Sequence, residues 1–181
     1  MQFRRLQPAD LTGVLALQEA NLFDNLSPEA RRDGFLSARF THAQFAQMDA
    51  DVAVVVAANA GRVAGYLCAS GIEYNRQFPL LAAMIARYPD LSFRGRPLSE
   101  QATCVYGPAC VDRDFRGRGV LRGLYQALLD DVADRFAAGV GFISKDNPRS
   151  LAAHVDGLGM HKLGEFEFNA RRYWILASAT K

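Results

Sequence analysis

The sequence predicts an α/β (α+β) chain, residues 1–181 forming one domain in which strands and helices alternate. Three observations carry this. At 181 residues the chain has a one-domain length, enough to bury about two-thirds of its unfolded surface. Residues 51–58 (DVAVVVAA) are a near-continuous apolar run, and residues 63–70 return after the turn Asn59-Ala60-Gly61-Arg62. This pair reads as a β-hairpin, its first strand buried on both faces. Residues 102–136 read as a strand, a glycine–arginine loop and the strongest amphipathic helix in the chain.

The remaining elements follow in order. Residues 2–6 (QFRRL) make a short first strand. Pro8 fits the first turn of a helix to about residue 20, with Leu11, Val14, Leu15 and Leu17 on its apolar face. Ser27-Pro28-Glu29 starts a second helix capped by Ser27, and Thr41 caps a third that ends near Asp51. Residues 77–88 predict a helix, followed by a Pro/Gly/Arg-rich stretch. The strand at 102–111 is interrupted at Gly107-Pro108, where a proline cannot donate to a ladder and a bulge or one-sided edge is needed. In the helix at 118–136, Leu121, Leu124, Tyr125, Leu128, Leu129, Val132 and Phe136 share one face. A strand at 140–144, a helix at 148–158 and two strands at 161–168 and 171–176 complete the chain.

Half of the residues are apolar and 22% are charged, which excludes disordered, collagen-like and low-complexity chains. No run approaches the roughly 20 apolar residues of a membrane span. Pro8 and Asp10 interrupt any signal-peptide core, so the expected location is the cytoplasm. The net charge of +2 is too small for a general nucleic-acid or membrane binder. Three cysteines, Cys68, Cys104 and Cys110, lie in apolar surroundings and read as buried free thiols. No His/Cys spacing suggests a metal.

The informative segment is Val111-Asp112-Arg113-Asp114-Phe115-Arg116-Gly117-Arg118-Gly119-Val120-Leu121-Arg122. Acids favour helix starts and bases favour helix ends. Here Arg113, Arg116, Arg118 and Arg122 crowd the start, while Asp130, Asp131 and Asp134 lie towards the end. Only Asp114 offers a side-chain cap. Free N–H groups, glycines and guanidinium groups together make an anion cradle. The Gly-Lys-Ser/Thr ending of a P-loop is absent, and the glycines come too late for a dinucleotide fingerprint. A single RGRG within a strand–helix junction is a poor RNA-binding tract. A solvated arginine loop is the other reading.

The segment resembles the coenzyme A pyrophosphate loop of GNAT-type N-acetyltransferases, whose Arg/Gln-x-x-Gly-x-Gly/Ala pattern matches Arg116 to Leu121 with Leu121 at the last position. A second segment agrees. Asn147-Pro148-Arg149-Ser150 matches the family's Asn-x-x-Ala/Ser, His154 stands at its Tyr position, and Leu158-Gly159-Met160 follows one residue later than usual. The resemblance implies a mixed, mostly antiparallel central sheet with helices on both faces. Two neighbouring strands splay, and the pantetheine arm lies in the gap against Ala109, Cys110 and Val111. It implies an acetyl-CoA-dependent N-acetyltransferase in which an amine attacks the thioester directly.

On this basis acetyl-CoA binds through Ala109, Cys110, Val111, Arg116, Gly117, Arg118, Gly119, Val120, Leu121, Arg122 and Asn147. His154 is the candidate proton donor to the leaving thiolate, provided that its surroundings hold its pKa up. No Glu lies on the cofactor strand, so Glu73, Tyr74 and Tyr106 are the candidate acceptor-side groups and stand-ins for the general base, directly or through water. Ser150 and His154 at i, i+4 also form a candidate nucleophile–base pair, and Cys104 and Cys110 are candidate nucleophiles, although buried strand thiols are usually inert. Residues 73–100 are assigned to acceptor choice, through the apolar face of Phe78, Leu80, Leu81, Met84 and Ile85 and through Arg94 and Arg96. The expected partner is a small-molecule or protein amine, with a homodimer allowed and no nucleic acid, membrane or metal. The alternative is a non-catalytic acyl-CoA-binding module of the same fold.

Overall fold

In the computed structural model, which describes residues 1–181, β1 (Gln2–Arg5) leads through a 3-10 turn at Pro8–Asp10 into α1 (Leu11–Glu19). α2 (Pro28–Arg31) starts at Ser27, whose hydroxyl accepts the Ala30 N–H at 3.2 Å. α3 (His42–Asp51) starts at Thr41 in a reciprocal capping pair. Gln44 N–H donates to Thr41 Oγ1 at 3.3 Å, and Thr41 N–H donates to Gln44 Oε1 at 2.8 Å. Both caps stand where the sequence puts them.

β2 (Ala53–Asn59) and β3 (Arg62–Ser70) form the predicted antiparallel hairpin. Val54 and Val56 pack with α1 and α3, while Val55 and Ala57 pack on the other side of the sheet. Burial on both faces is why this run is apolar without alternation. Next come α4 (Ile72–Asn75), α5 (Pro79–Ile85) and a small hairpin, β4 (Ser92–Phe93) with β5 (Arg96–Pro97). The helix predicted over 77–88 is thus shorter. Pro79 fixes its first turn, and Pro89 turns Tyr88–Asp90 into a separate 3-10 turn.

The chain continues with β6 (Thr103–Val111), α6 (Val120–Val132), β7 (Ala138–Ser144), α7 (Pro148–Leu158), β8 (His161–Phe168) and β9 (Arg171–Ala179). One seven-stranded sheet runs β1-β2-β3-β6-β7-β9-β8, antiparallel except between β6 and β7. This is the mixed, mostly antiparallel sheet that the resemblance implies. α1, α3 and α5 cover one face; α6 and α7 cover the other. α6 buries Val120, Leu124, Leu128 and Val132. Leu121, predicted to share that face, is instead half-buried beside it, because the buried stripe runs through Val120 one residue earlier.

β6 and β7 pair only through Thr103–Val105 and Ala138–Val140. Beyond Val105, β6 stays with β3 and leaves β7. The β3–β6 register shifts between Leu67 and Ala69, opposite Gly107-Pro108. This is the bulge that Pro108 requires, since proline lacks a ladder donor. A Cβ on Gly141 would stand 2.5 Å from the Tyr106 carbonyl oxygen. Glycine is therefore required where the two strands begin to part.

Candidate active site

Two adjoining cavities open where β6 and β7 diverge. The larger, about 440 Å³, lies between the loop after β6, the first turn of α6 and α7. Its wall contains Ala109, Cys110, Val111, Arg116, Gly117, Gly119, Val120, Leu121 and Arg122 from the predicted cofactor set, but not Arg118 or Asn147. The smaller, about 160 Å³, fills the gap between the strands. Ala109, Ser150 and His154 line both, as do Phe35 and Leu36 from the segment before α3, so the two spaces are continuous.

The arginines around the larger cavity are not equivalent. Arg116 is spent on the chain itself. Its Nε donates to Val111 O at 3.1 Å, Nη1 to Asp33 O at 2.8 Å and Nη2 to Asn21 Oδ1 at 2.7 Å. It pins the loop rather than facing an anion with a free fork. Arg113 and Arg149 both reach Asp33, at 3.4 and 2.8 Å, and Arg122 donates to Gly157 O at 2.6 Å. Arg118 is exposed and makes no hydrogen bond or ion pair in the chain; its guanidinium stands 6.0 Å from the Phe115 ring centre. It can swing to a ligand at little cost.

Gly119 caps α6 at φ 78° and Gly117 lies at φ 71°, both left-handed conformations that favour glycine. No side chain caps the helix. Asp114 does not, because it lies in a separate 3-10 turn at Arg113–Phe115 and its carboxylate faces Arg62 at 3.4 Å. Two of the three acids near the other end of α6 are paired with bases, and Asp130 accepts only from the Gln126 amide. Asp131 pairs with Arg5 at 3.3 Å and Arg135 at 3.5 Å, and Asp134 pairs with Lys181 at 3.0 Å. The inverted charge pattern is therefore largely balanced at the end of the helix and open at its start.

His154 sits on α7 in the shared wall, only 6% exposed. Its Nδ1 is 2.8 Å from the Ser150 carbonyl oxygen. A carbonyl only accepts, so Nδ1 carries the proton and, in the neutral ring, Nε2 keeps its lone pair. Burial pushes the imidazole pKa down, and the bond to Ser150 only partly opposes this. The condition for His154 as a protonated donor, a pKa held up, is thus reversed. The same bond disfavours a Ser150–His154 nucleophile pair. The Ser150 hydroxyl is 3.5 Å from a nitrogen already committed to a closer carbonyl.

Tyr106 lines the smaller cavity, edge-on to His154 with ring centres 5.6 Å apart. Its hydroxyl is buried with no partner, and burial raises its pKa far above the ordinary phenol value. Tyr106 is therefore a proton holder and not a base. Asn147 lines the same cavity, where its carboxamide caps α7 by accepting Ser150 N–H at 3.3 Å and donates to Phe35 O at 3.0 Å.

Other predicted residues lie elsewhere. Glu73 is exposed and pairs with Arg76 at 3.0 Å. The Tyr74 hydroxyl donates to Gln44 O at 3.3 Å, and its ring packs against Phe78. Neither lines either of the two cavities. Arg94 and Arg96 occupy the β4–β5 hairpin, bonded to Lys181 O and Glu100 O. That hairpin lies towards the end of the sheet where β6 and β7 still pair, away from the gap, because its Phe93 packs into the core beneath α5. Met84 and Ile85 are core residues, while Phe78, Leu80 and Leu81 do reach the smaller cavity. Burial pushes the Cys104 and Cys110 thiols up to about 12, leaving neither a nucleophile near neutral pH. No group of His, Cys, Asp and Glu side chains is placed to hold a metal ion.

The segment from Asp33 to Phe40 walls both cavities and was not among the predicted site residues. Its sequence signal is weak but real: Phe35, Leu36 and Phe40 are apolar residues with neither helical nor strand period, between two capped helices. Gln18 fixes its far end, donating to Phe40 O and accepting Phe40 N–H, each at 2.8 Å.

No family model matches the chain, and no curated protein matches it. Solved structures do. The chain is similar to an N-acetyltransferase from Staphylococcus aureus Mu50, with a TM-score of 0.64 at 18% identity, covering 99% of this chain and 98% of that one. It is similar to YncA, a putative acetyltransferase from Salmonella typhimurium solved with its cofactor acetyl-CoA, with a TM-score of 0.63 at 16% identity, covering 100% and 94%. A ribosomal-protein-alanine N-acetyltransferase from Brucella melitensis gives a TM-score of 0.62 at 17% identity, with 99% of each chain covered. The chain has the fold of these acetyltransferases.

Proposed function

We propose that the chain is a GNAT-type N-acetyltransferase that moves the acetyl group of acetyl-CoA to an amine. The observation that carries this reading is continuity. An uncapped, arginine-flanked helix start opens directly into the gap between two parting strands. The residues present fit the co-substrate. The first-turn N–H groups of α6 and the free Arg118 suit its diphosphate. The β6 edge at Ala109 to Val111, paired with β3 on one side and open towards β7 on the other, suits the pantetheine amides.

The amine nitrogen attacks the thioester carbonyl carbon, the N–C bond forms and the C–S bond breaks. The nitrogen gives up one proton and the sulfur takes one. His154 and Tyr106 both border the gap. Nε2 of the neutral His154 is a proton acceptor, and the Tyr106 hydroxyl, buried behind the gap wall, is a proton holder that must turn towards the sulfur to donate. In this reading Tyr106 supplies the leaving thiolate and His154 receives from the amine, the reverse of the role that the sequence suggests for His154. Loss of a general acid or base typically costs about 10²–10⁴-fold. Tyr106→Phe should therefore lower kcat and leave coenzyme A affinity unchanged. A kcat equal to that of the wild type in Tyr106→Phe would remove Tyr106 from the chemistry. The absence of any carboxylate from the gap favours the second reading, an acyl-CoA-binding module. Calorimetry showing coenzyme A binding, with no thiol release from acetyl-CoA on any amine, would select it.

A further inference from the structure

The smaller cavity contains no Asp or Glu in its wall. Its one formally charged residue, Arg39, is exposed at the rim and pairs with Glu19 at 3.0 Å. Phe35, Phe40, Phe78, Leu80 and Phe142 line it, with the Phe40 and Phe78 rings edge-on at 5.6 Å. The volume is about 160 Å³ and Ser37, Ser144, Asn147 and Ser150 also border it, so beside the thioester end of the arm it leaves room for a small, flat acceptor only. An alkylammonium entering this space would lose its hydration and meet no counter-charge, which strongly disfavours the charged form. No carboxylate stands ready to remove its proton.

Resting on the acetyltransferase reading, we propose that the acceptor is an arylamine: a single aromatic ring bearing an amine that is uncharged at neutral pH. Delocalisation of the nitrogen lone pair into the ring keeps such an amine neutral, so it enters without a desolvation cost for charge. The aromatic wall receives the ring edge-on or offset. The proton released by nitrogen equals the proton taken by sulfur, so no external base is consumed. Polyamines and lysine side chains, being cationic, are excluded.

The test begins with acetyl-CoA binding by calorimetry and proceeds to thiol release with p-anisidine, spermidine and Nα-acetyl-lysine. Binding together with a kcat/KM for p-anisidine about a hundredfold or more above that for either cationic amine is the expected result. Equal or better use of spermidine or the lysine overturns the acceptor class and leaves the acetyltransferase reading standing. Acetyl-CoA binding without turnover of p-anisidine also overturns the acceptor class. Faster transfer from hexanoyl-CoA than from acetyl-CoA would show an acyl chain filling the space and would also overturn it. Absence of acetyl-CoA binding removes the acetyltransferase reading, and this proposal with it. Leu80→Glu, at a half-buried wall position, places a carboxylate beside the cavity. It should move the preference towards spermidine by about tenfold; an unchanged ratio in the folded variant counts against the proposal.

Discussion

Arg116 and Arg118 are two residues apart and differ in what they can give a ligand. Arg116 makes three hydrogen bonds to distant parts of the chain, and Arg118 makes none. A charge-assisted hydrogen bond contributes about 1.5–3 kcal/mol. Arg118→Glu should therefore weaken coenzyme A binding by about tenfold or more with an unchanged melting temperature. Arg116→Ala should lower both affinity and melting temperature, because it frees the loop at Asp33; affinity lost in Arg116→Ala alone would reassign the anion contact. The sequence shows the arginine crowding but not which guanidinium is free, since Asn21 and Asp33 meet Arg116 only through the fold. His154 carries a second residue-scale prediction. Its folded pKa is depressed by burial, whereas an unfolded imidazole titrates near about 6.5. Below that value the unfolded chain binds more protons, so stability is complete above about pH 6.5 and declines as pH falls towards the folded value. His154→Gln should lose melting temperature less steeply than the wild type between about pH 7 and 5. Parallel slopes would show that the ring titrates normally in the folded chain.

Elements were legible where one local rule fixed them. Ser27, Thr41 and the β-branched run at 51–58 each specify their own element; the two caps stand as read, and the strand is present but starts at Ala53, because α3 runs on through Asp51. The bulge was readable from Pro108 alone. The small hairpin of β4 and β5 was not, since two-residue strands have no period to detect. With that hairpin unseen, the sequence points Arg94 and Arg96 at the acceptor, whereas neither borders either cavity. The parting of β6 from β7 depends on a packing relation that no local pattern shows: Gly141 lies against the Tyr106 carbonyl. An added methyl there must push on backbone, and overpacking of this kind costs about 1–3 kcal/mol. Gly141→Ala should lower the melting temperature by roughly 2–12 °C for a chain of this size. It should also weaken coenzyme A binding, because the gap changes shape. Full stability in Gly141→Ala would show that the strands yield freely at this point.

Across the whole molecule, the two halves of the sheet are joined by only three residue pairs between β6 and β7. The helices do not clamp the opening shut. α6 packs mainly on β2 and β3, and α5 packs on β8. The continuous cavity crosses this seam, with α6 and the outer part of β6 on one side and β7 and α7 on the other. A ligand reaching from the start of α6 into the gap touches both halves and stabilises the assembled sheet. Ligand at a hundredfold excess over its Kd contributes about 2.7 kcal/mol. Each kcal/mol raises the melting temperature of a chain this long by about 2–4 °C. Coenzyme A at that excess should therefore raise it by roughly 5–11 °C. Amide exchange should slow at Tyr106, Gly107 and Ala109 on β6 and at Phe142 and Ile143 on β7, the residues that border the gap. Adenosine diphosphate carries the diphosphate without the pantetheine arm, so at matched saturation it should slow exchange at Gly117 to Arg122 and leave the gap unchanged. Equal protection of the gap by the two ligands would place the stabilisation at the loop alone and defeat the idea that the arm spans the seam.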